Sequence, residues 1–286
     1  MKSISFHIPK PQKEAFRVQV DQLPYFFDRL HQHNELQITL IERGSGTLVA
    51  GDYIGRFGAG DVFVIGKQLP HVFRCDDTFY HTQEGVLGIS VFFDESYAGD
   101  TFWENEELLL ARDWLVESGQ GYRITGATAA KLGQCLRGIP SESGLQKLIG
   151  GFKILWLLSE STEISRLSIR EGERFPKEVP GSRMDKIMSF TFSEMHRPVS
   201  IEEVAALVSL TPSAFCRYFK QRTRKTYLAF INEIRISQAC RLLVTTDLPI
   251  SEVCFRVGFH NLSHFNQYFK KTKACTPSVY RQLYEQ

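Results

Sequence analysis

Between Leu36 and Phe73 short apolar runs alternate with turn residues. Residues 36–41, 47–49 and 62–65 read as strands, with Gly44-Ser45-Gly46, Gly51-Asp52 and Gly58-Ala59-Gly60-Asp61 as turns. Strands this short and this regularly interrupted predict an antiparallel β sandwich or small barrel. Beyond Glu104 the apolar period lengthens to that of helices, over residues 104–116 and 129–159. In the second of these, Leu145, Leu148, Ile149, Phe152, Leu155, Trp156 and Leu158 form a broad apolar face. Part of it is expected to pack on the barrel, and the rest either inside the same chain or against a second copy.

The last hundred residues repeat themselves. Ile201-Glu202-Glu203-Val204-Ala205 through Phe219-Lys220 aligns with Ile250-Ser251-Glu252-Val253-Cys254 through Phe269-Lys270, the second copy being one residue longer. Two copies are too few for a solenoid and read as two similar modules. In the first, Ser200 and Glu203 form a capping-box pair that starts a helix, with Val204, Leu207 and Val208 as its apolar stripe. Thr211-Pro212 starts a second helix with Phe215, Tyr218 and Phe219 inward. In the second copy, Asp247 and Pro249 signal the start, Ile250, Val253 and Val257 the stripe, and Gly258-Phe259 the turn. Asn261 then caps a helix whose inner face is Phe265, Tyr268 and Phe269. Residues 226–244 predict one long helix holding the modules apart. Met184, Ile187, Met188 and Met195 predict an opening helix before them.

Two helix-turn-helix modules make double-stranded DNA the expected partner, because the second helix of such a motif enters the major groove. Ser213, Cys216 and Arg217 in the first module, and Ser263, His264, Asn266 and Gln267 in the second, are the residues expected to face base edges. Lys220, Arg222, Arg224, Lys225, Lys270, Lys271 and Lys273 follow the two helices and are expected at phosphates, where they set register without reading sequence.

Charge sharpens this division. Residues 1–180 carry 19 Lys and Arg against 24 Asp and Glu, and residues 181–286 carry 15 against 8, so the positive excess sits entirely in the tail. The six cysteines show no CxxC spacing, residues 1–10 lack a secretory apolar stretch, and no apolar run approaches the ~20 residues that span a bilayer. A cytoplasmic protein with free thiols and no membrane partner is expected.

The tail resembles the AraC/XylS family of bacterial transcription regulators. The resemblance rests on Ile250-Ser251-Glu252-Val253-Cys254, Gly258-Phe259, Ser263, Phe265, Phe269-Lys270 and Thr276-Pro277-Ser278-Val279-Tyr280-Arg281, with Arg235, Ala239, Leu242 and Leu243 on the linking helix. It implies that one chain contacts two successive major-groove segments, that a small-molecule effector controls it, that RNA polymerase is a further partner, and that a homodimer forms. Arg224 and Ala274 stand where the family commonly has a glycine ending each recognition helix, so altered helix ends are expected.

The front half resembles the cupin barrel that precedes the DNA-binding tail in many family members. The fold class is therefore two-domain α+β. Residues 1–167 are expected to form a cupin-like sensing and dimerisation domain, 168–182 a linker, and 183–286 an all-α DNA-binding domain with modules at about 200–220 and 249–270. Metal-binding cupins use His-x-His, a nearby Glu and a later His. Here His31, His33 and His71 match, but Gln37 takes the Glu position and Glu35 is out of register. A neutral amide is a poorer cation ligand than a carboxylate. We therefore expect no cofactor, rather than a metal at His31, His33 and His71, and take His31, His33, Gln37 and His71 as walls for a small polar ligand, a sugar being one choice. Two other readings stay open: a metal-dependent cupin enzyme carrying the tail, and a nucleoid protein indifferent to sequence.

Overall fold

The computed structural model describes residues 14–81, 85–94, 100–168, 183–223 and 225–282. They fall into two compact units, one ending before residue 181 and one beginning there. Residues 169–182 of the expected linker, and Arg224, lie outside the described residues.

The first unit is built on two antiparallel sheets. The larger runs β1 (Arg17–Leu23), β7 (Val86–Phe93), β2 (Leu36–Arg43), β5 (Val62–Ile65), β8 (Tyr122–Ile124), β9 (Ile164–Arg166), and the smaller runs β4 (Tyr53–Phe57), β3 (Gly46–Ala50), β6 (His71–Cys75). Strand β2 explains the arrangement. Alternate residues point to opposite faces, so Leu36, Ile38 and Leu40 enter a core that also takes in Leu132, Leu136, Ile154, Leu155 and Leu158 of the helices. Ile41 joins Leu48, Phe57 and Phe73 between the sheets. Gln37 and Thr39 share that inner face with Ile41, so a polar group on this strand is held inside the barrel.

The helices differ from the sequence reading in three respects. The segment 104–116 opens as two 3-10 turns, Asp100–Glu104 and Glu106–Leu108, before α2 (Leu109–Glu117), the short α1 (Thr78–His81) having come earlier. The helix expected over 129–159 is two, α3 (Gly126–Gly138) and α4 (Gly144–Ser159), separated by the 3-10 turn Ile139–Ser141. Pro140 lacks the N–H that a continuous helix needs, and Gly144 turns at φ +54°. Finally, the broad apolar face divides. Ile154, Leu155 and Leu158 are buried, whereas Leu145 (71% exposed), Ile149 (57%) and Trp156 (56%) form an outward stripe.

The second unit is helical throughout: α5 (Arg183–Glu194), α6 (Ile201–Leu207), α7 (Pro212–Thr223), α8 (Tyr227–Thr245), α9 (Ile250–Arg256), α10 (Leu262–Lys273) and α11 (Pro277–Gln282). Met195 lies just beyond α5. The caps at Ser200, Thr211 and Asn261 are those the sequence predicts, and Thr226 adds one on α8. Glu203 N donates to Ser200 Oγ (3.1 Å), Ala214 N to Thr211 Oγ1 (3.3 Å), Ala229 N to Thr226 Oγ1 (3.2 Å) and His264 N to Asn261 Oδ1 (2.9 Å). Helix α9 departs from the prediction, starting at Pro249 without a side-chain cap, so Asp247 does not cap it. Leu207, placed in the α6 stripe, is 39% exposed. The α6–α7 turn puts Ser209 at φ +55°, in the place that Gly258 fills in the second module at φ +92°.

Helix α10 keeps its left-handed end despite lacking the glycine, because Ala274 itself adopts φ +59°. An L-residue pays about 1–2 kcal/mol there. Ala274→Gly relieves that strain, offset by the freer unfolded glycine, and is expected to raise stability by about 0.5–1 kcal/mol. Thermal unfolding measures it, and a lowered melting temperature would contradict the reading.

Candidate nucleic-acid interface and effector site

Each recognition helix buries its aromatic residues and exposes the residues between them. In α7, Phe215 and Phe219 are fully buried against Tyr227 and Phe230, while Ser213, Cys216, Arg217 and Lys220 are exposed. In α10, Phe265 and Phe269 are buried with Val253, Val257 and Phe259, while Ser263, His264, Gln267, Lys270 and Lys271 are exposed; Asn266 and Lys273 are half-buried. Two helices thus present mixed polar and basic surfaces backed by a buried apolar layer.

Other side chains are already engaged. Arg222 lies over the Tyr218 ring (3.9 Å to its centre), and His264 packs edge-on against Phe259 and Tyr268 (5.6 and 6.1 Å between ring centres). Lys225 Nζ sits 2.6 Å from Glu233 Oε2. That ion pair draws Lys225, expected at a phosphate, onto α8.

In the first unit, His31, His33 and His71 come together, with ring centres 4.2 Å (His31–His71), 5.1 Å (His33–His71) and 6.2 Å (His31–His33) apart. A two-way backbone bridge causes this: His31 N donates to His71 O (3.0 Å) and His71 N to His31 O (2.8 Å). Nδ1 of each ring meets a main-chain carbonyl: Arg29 O (2.9 Å), Glu35 O (2.8 Å) and Leu69 O (2.8 Å) respectively. A carbonyl only accepts, so Nδ1 of His31 and of His71 carries a proton, whereas His33 faces an oxygen at both ring nitrogens, Glu35 O at Nδ1 and Gln37 Oε1 at Nε2. Burial pulls all three pKa values down, to about 4 for His31 and well below the ordinary value for His71, so the rings are neutral.

In the neutral rings Nε2 is therefore the acceptor nitrogen of His31 and His71. His71 Nε2 is buried with no hydrogen-bond partner among the described residues. Gln37 continues the polar row into the barrel. Its side-chain oxygen lies 3.0 Å from His33 Nε2, and its amide nitrogen donates to Thr39 Oγ1 (2.7 Å), which lies 2.8 Å from Ser90 Oγ. Among the described residues no group of three or more His, Cys, Asp or Glu is arranged to hold a metal ion.

Comparison with known proteins agrees with both halves. The family model for an AraC-like ligand-binding domain matches residues 17–168, more than half of the chain, and a helix-turn-helix domain model matches residues 204–283. The chain belongs to the AraC/XylS family. Among family members with similar sequences, the HTH-type transcriptional activator RhaR of Cronobacter sakazakii is 23% identical over 272 residues, 93% of this chain and 90% of its own length. The HTH-type transcriptional activator RhaS of an Enterobacter species is 21% identical over 252 residues, 88% of this chain and 87% of its own. Among solved structures, ToxT of Vibrio cholerae is 17% identical, covering 95% of this chain and 98% of its own, with a TM-score of 0.38. The DNA-binding domain of AdpA with its target DNA is 26% identical, covering 36% of this chain and 93% of its own, with a TM-score of 0.35. As a member of this family the chain is a DNA-binding transcription regulator with a cupin-like ligand-binding domain, not an enzyme. No helix among the described residues is long and apolar enough to cross a membrane.

Proposed function

We propose that this regulator reads an operator with α7 and α10 in successive major grooves and is controlled by a small neutral ligand at the histidine cluster. The reading rests chiefly on two capped helices in one basic unit, each with its aromatic face buried and its polar face open. Ser213, Cys216 and Arg217 on α7, and Ser263, His264, Asn266 and Gln267 on α10, are the base-facing set; Lys220, Arg222, Lys270, Lys271 and Lys273 hold phosphates. Selection from random duplexes tests this directly: enrichment of one bipartite motif supports it, and flat recovery overturns it.

The roles divide in a measurable way. Arg217→Ala is expected to cost about 1–3 kcal/mol on the selected site and to relax preference at one base pair. Lys270→Ala weakens all sequences alike and lowers the salt slope by about one ion. If both variants respond alike in a salt titration, the division is wrong.

For the effector, the cluster favours a molecule that brings hydrogen-bond donors. Neutral rings with acceptor nitrogens, and a side-chain amide beside two hydroxyls, suit a hydroxyl-rich compound such as a sugar and suit a bare anion poorly. A ligand that binds only the folded chain raises its melting temperature, so a thermal-shift screen of polyols against organic anions identifies the class. The outward stripe of Leu145, Ile149 and Trp156 supports a homodimer, and RNA polymerase is the further partner of an activator.

A further inference from the structure

The two readers have separate cores that share α8. Tyr227 and Phe230 in its first half pack with Phe215 and Phe219 of the first module. Ile236, Ala239, Cys240 and Leu243 in its second half pack with Val253, Val257, Phe259, Phe265 and Phe269 of the second. Between Ile234 and Ile236, at the seam, stands a buried arginine, Arg235 (9% exposed).

Its guanidinium is satisfied by neutral oxygens. Nε donates to Met195 O (2.7 Å), Nη2 to Arg197 O (2.7 Å) and Nη1 to Asn232 Oδ1 (3.1 Å). Burying a cation without a carboxylate is expensive, so a role is called for, and the neighbours supply one. The carbonyls belong to the loop between α5 and α6. That loop leads straight into the first module, where Arg197 binds the capping-box Glu203 (Nη1–Oε2 3.1 Å). The other side of Arg235 faces the turn of the second module. Its guanidinium carbon lies 5.9 Å from the Phe259 ring centre, and a Cβ on Gly258 would lie 2.9 Å from its Nε. A single helix joining two modules resists stretching but lets each end swing. This second connection, running from the first module's entry loop through Arg235 to the second module's turn, closes a triangle.

We infer that Arg235 is the positioning residue that fixes the separation and rotation of the two recognition helices, so that the protein accepts one spacing between the two groove segments. The inference rests on the bipartite DNA reading above. Adding or removing one base pair moves the second segment by about 3.4 Å along the axis and by roughly 35° around it. A clasped pair of readers cannot follow that movement.

The experiment uses the full chain and the operator recovered by selection, together with duplexes carrying one base pair more or less between the contacted segments, and one with the second segment scrambled. The wild type is expected to lose about tenfold or more in affinity on either spacing variant. In Arg235→Met the spacing penalty falls to about threefold or less, while affinity for the half-scrambled duplex stays that of wild type. Arg235→Lys, which keeps the charge but loses the fork that reaches two carbonyls, falls between them. An unchanged spacing penalty in either folded variant, or an equal loss on every duplex including the half-scrambled one, overturns the inference. So does a wild type that enriches a motif but tolerates both spacings. A wild type that enriches nothing instead defeats the DNA reading on which the inference rests.

Discussion

Gly258→Ala is expected to destabilise the second unit by about 3 kcal/mol or more, among the larger effects a single methyl can have. Two costs add. The residue sits at φ +92°, where an L side chain is strained, and its Cβ would overlap Met195 O and approach His196 C to 3.0 Å. These neighbours are main chain, and Met195 O is itself held by Arg235, so relief requires moving a loop rather than a rotamer. At about 4–8 °C per kcal/mol for a domain of ~100 residues, the corresponding melting transition should fall by more than about 10 °C. A shift within a degree or two would mean that the turn does not press on that loop. The first module offers an internal comparison, since Ser209 carries a side chain at the same turn position with φ +55° and is exposed.

Acid should unfold the first unit. His31, His33 and His71 are neutral in the fold because burial lowers their pKa values, whereas in the unfolded chain they titrate near 6.5. The unfolded state therefore binds more protons as pH drops below about 6.5, and stability falls with it. For His31 the loss continues down to its folded pKa of about 4. At about 1.4 kcal/mol per unit, His31 alone accounts for roughly 3–4 kcal/mol over that whole range, and His33 and His71 add in the same direction. Denaturant midpoints at pH 7.5 and pH 4.5 measure the effect. Replacing His71 by Gln, an uncharged hydrogen-bonding side chain, should flatten part of the slope. A wild-type midpoint as high at pH 4.5 as at 7.5 would refute the neutral-cluster account.

What the sequence revealed about this chain was mostly local. Ser200, Thr211 and Asn261 announce helix starts because a cap bonds an N–H within three residues of itself. The duplicated pattern exposed both recognition helices for the same reason. Distant contacts were illegible. Nothing near Gly258 says that Met195, some sixty residues earlier, will lie against it, and Lys225 looked like one more tail cation until α8 brought Glu233 to it. The meeting of His31 with His71 depends on a backbone bridge across the barrel, although the shared motif hinted at it. One misreading and one omission had signals in the chain. Pro140 lies in the middle of the supposed long helix, and the apolar run Val86–Phe93 makes a central strand that pairs with both β1 and β2.

Helix α8 also bears on how such a protein can change. Each reader's core is completed by half of that helix, so neither half of the duplication is a self-sufficient folding unit. Cutting the chain after the first reader would leave the second half of α8 with its apolar side in water, and exchanging one reader for another would mismatch the seam at Arg235. Although the pair reads like two beads on a string, it can drift in specificity only by replacing outward residues one at a time, not by trading whole modules.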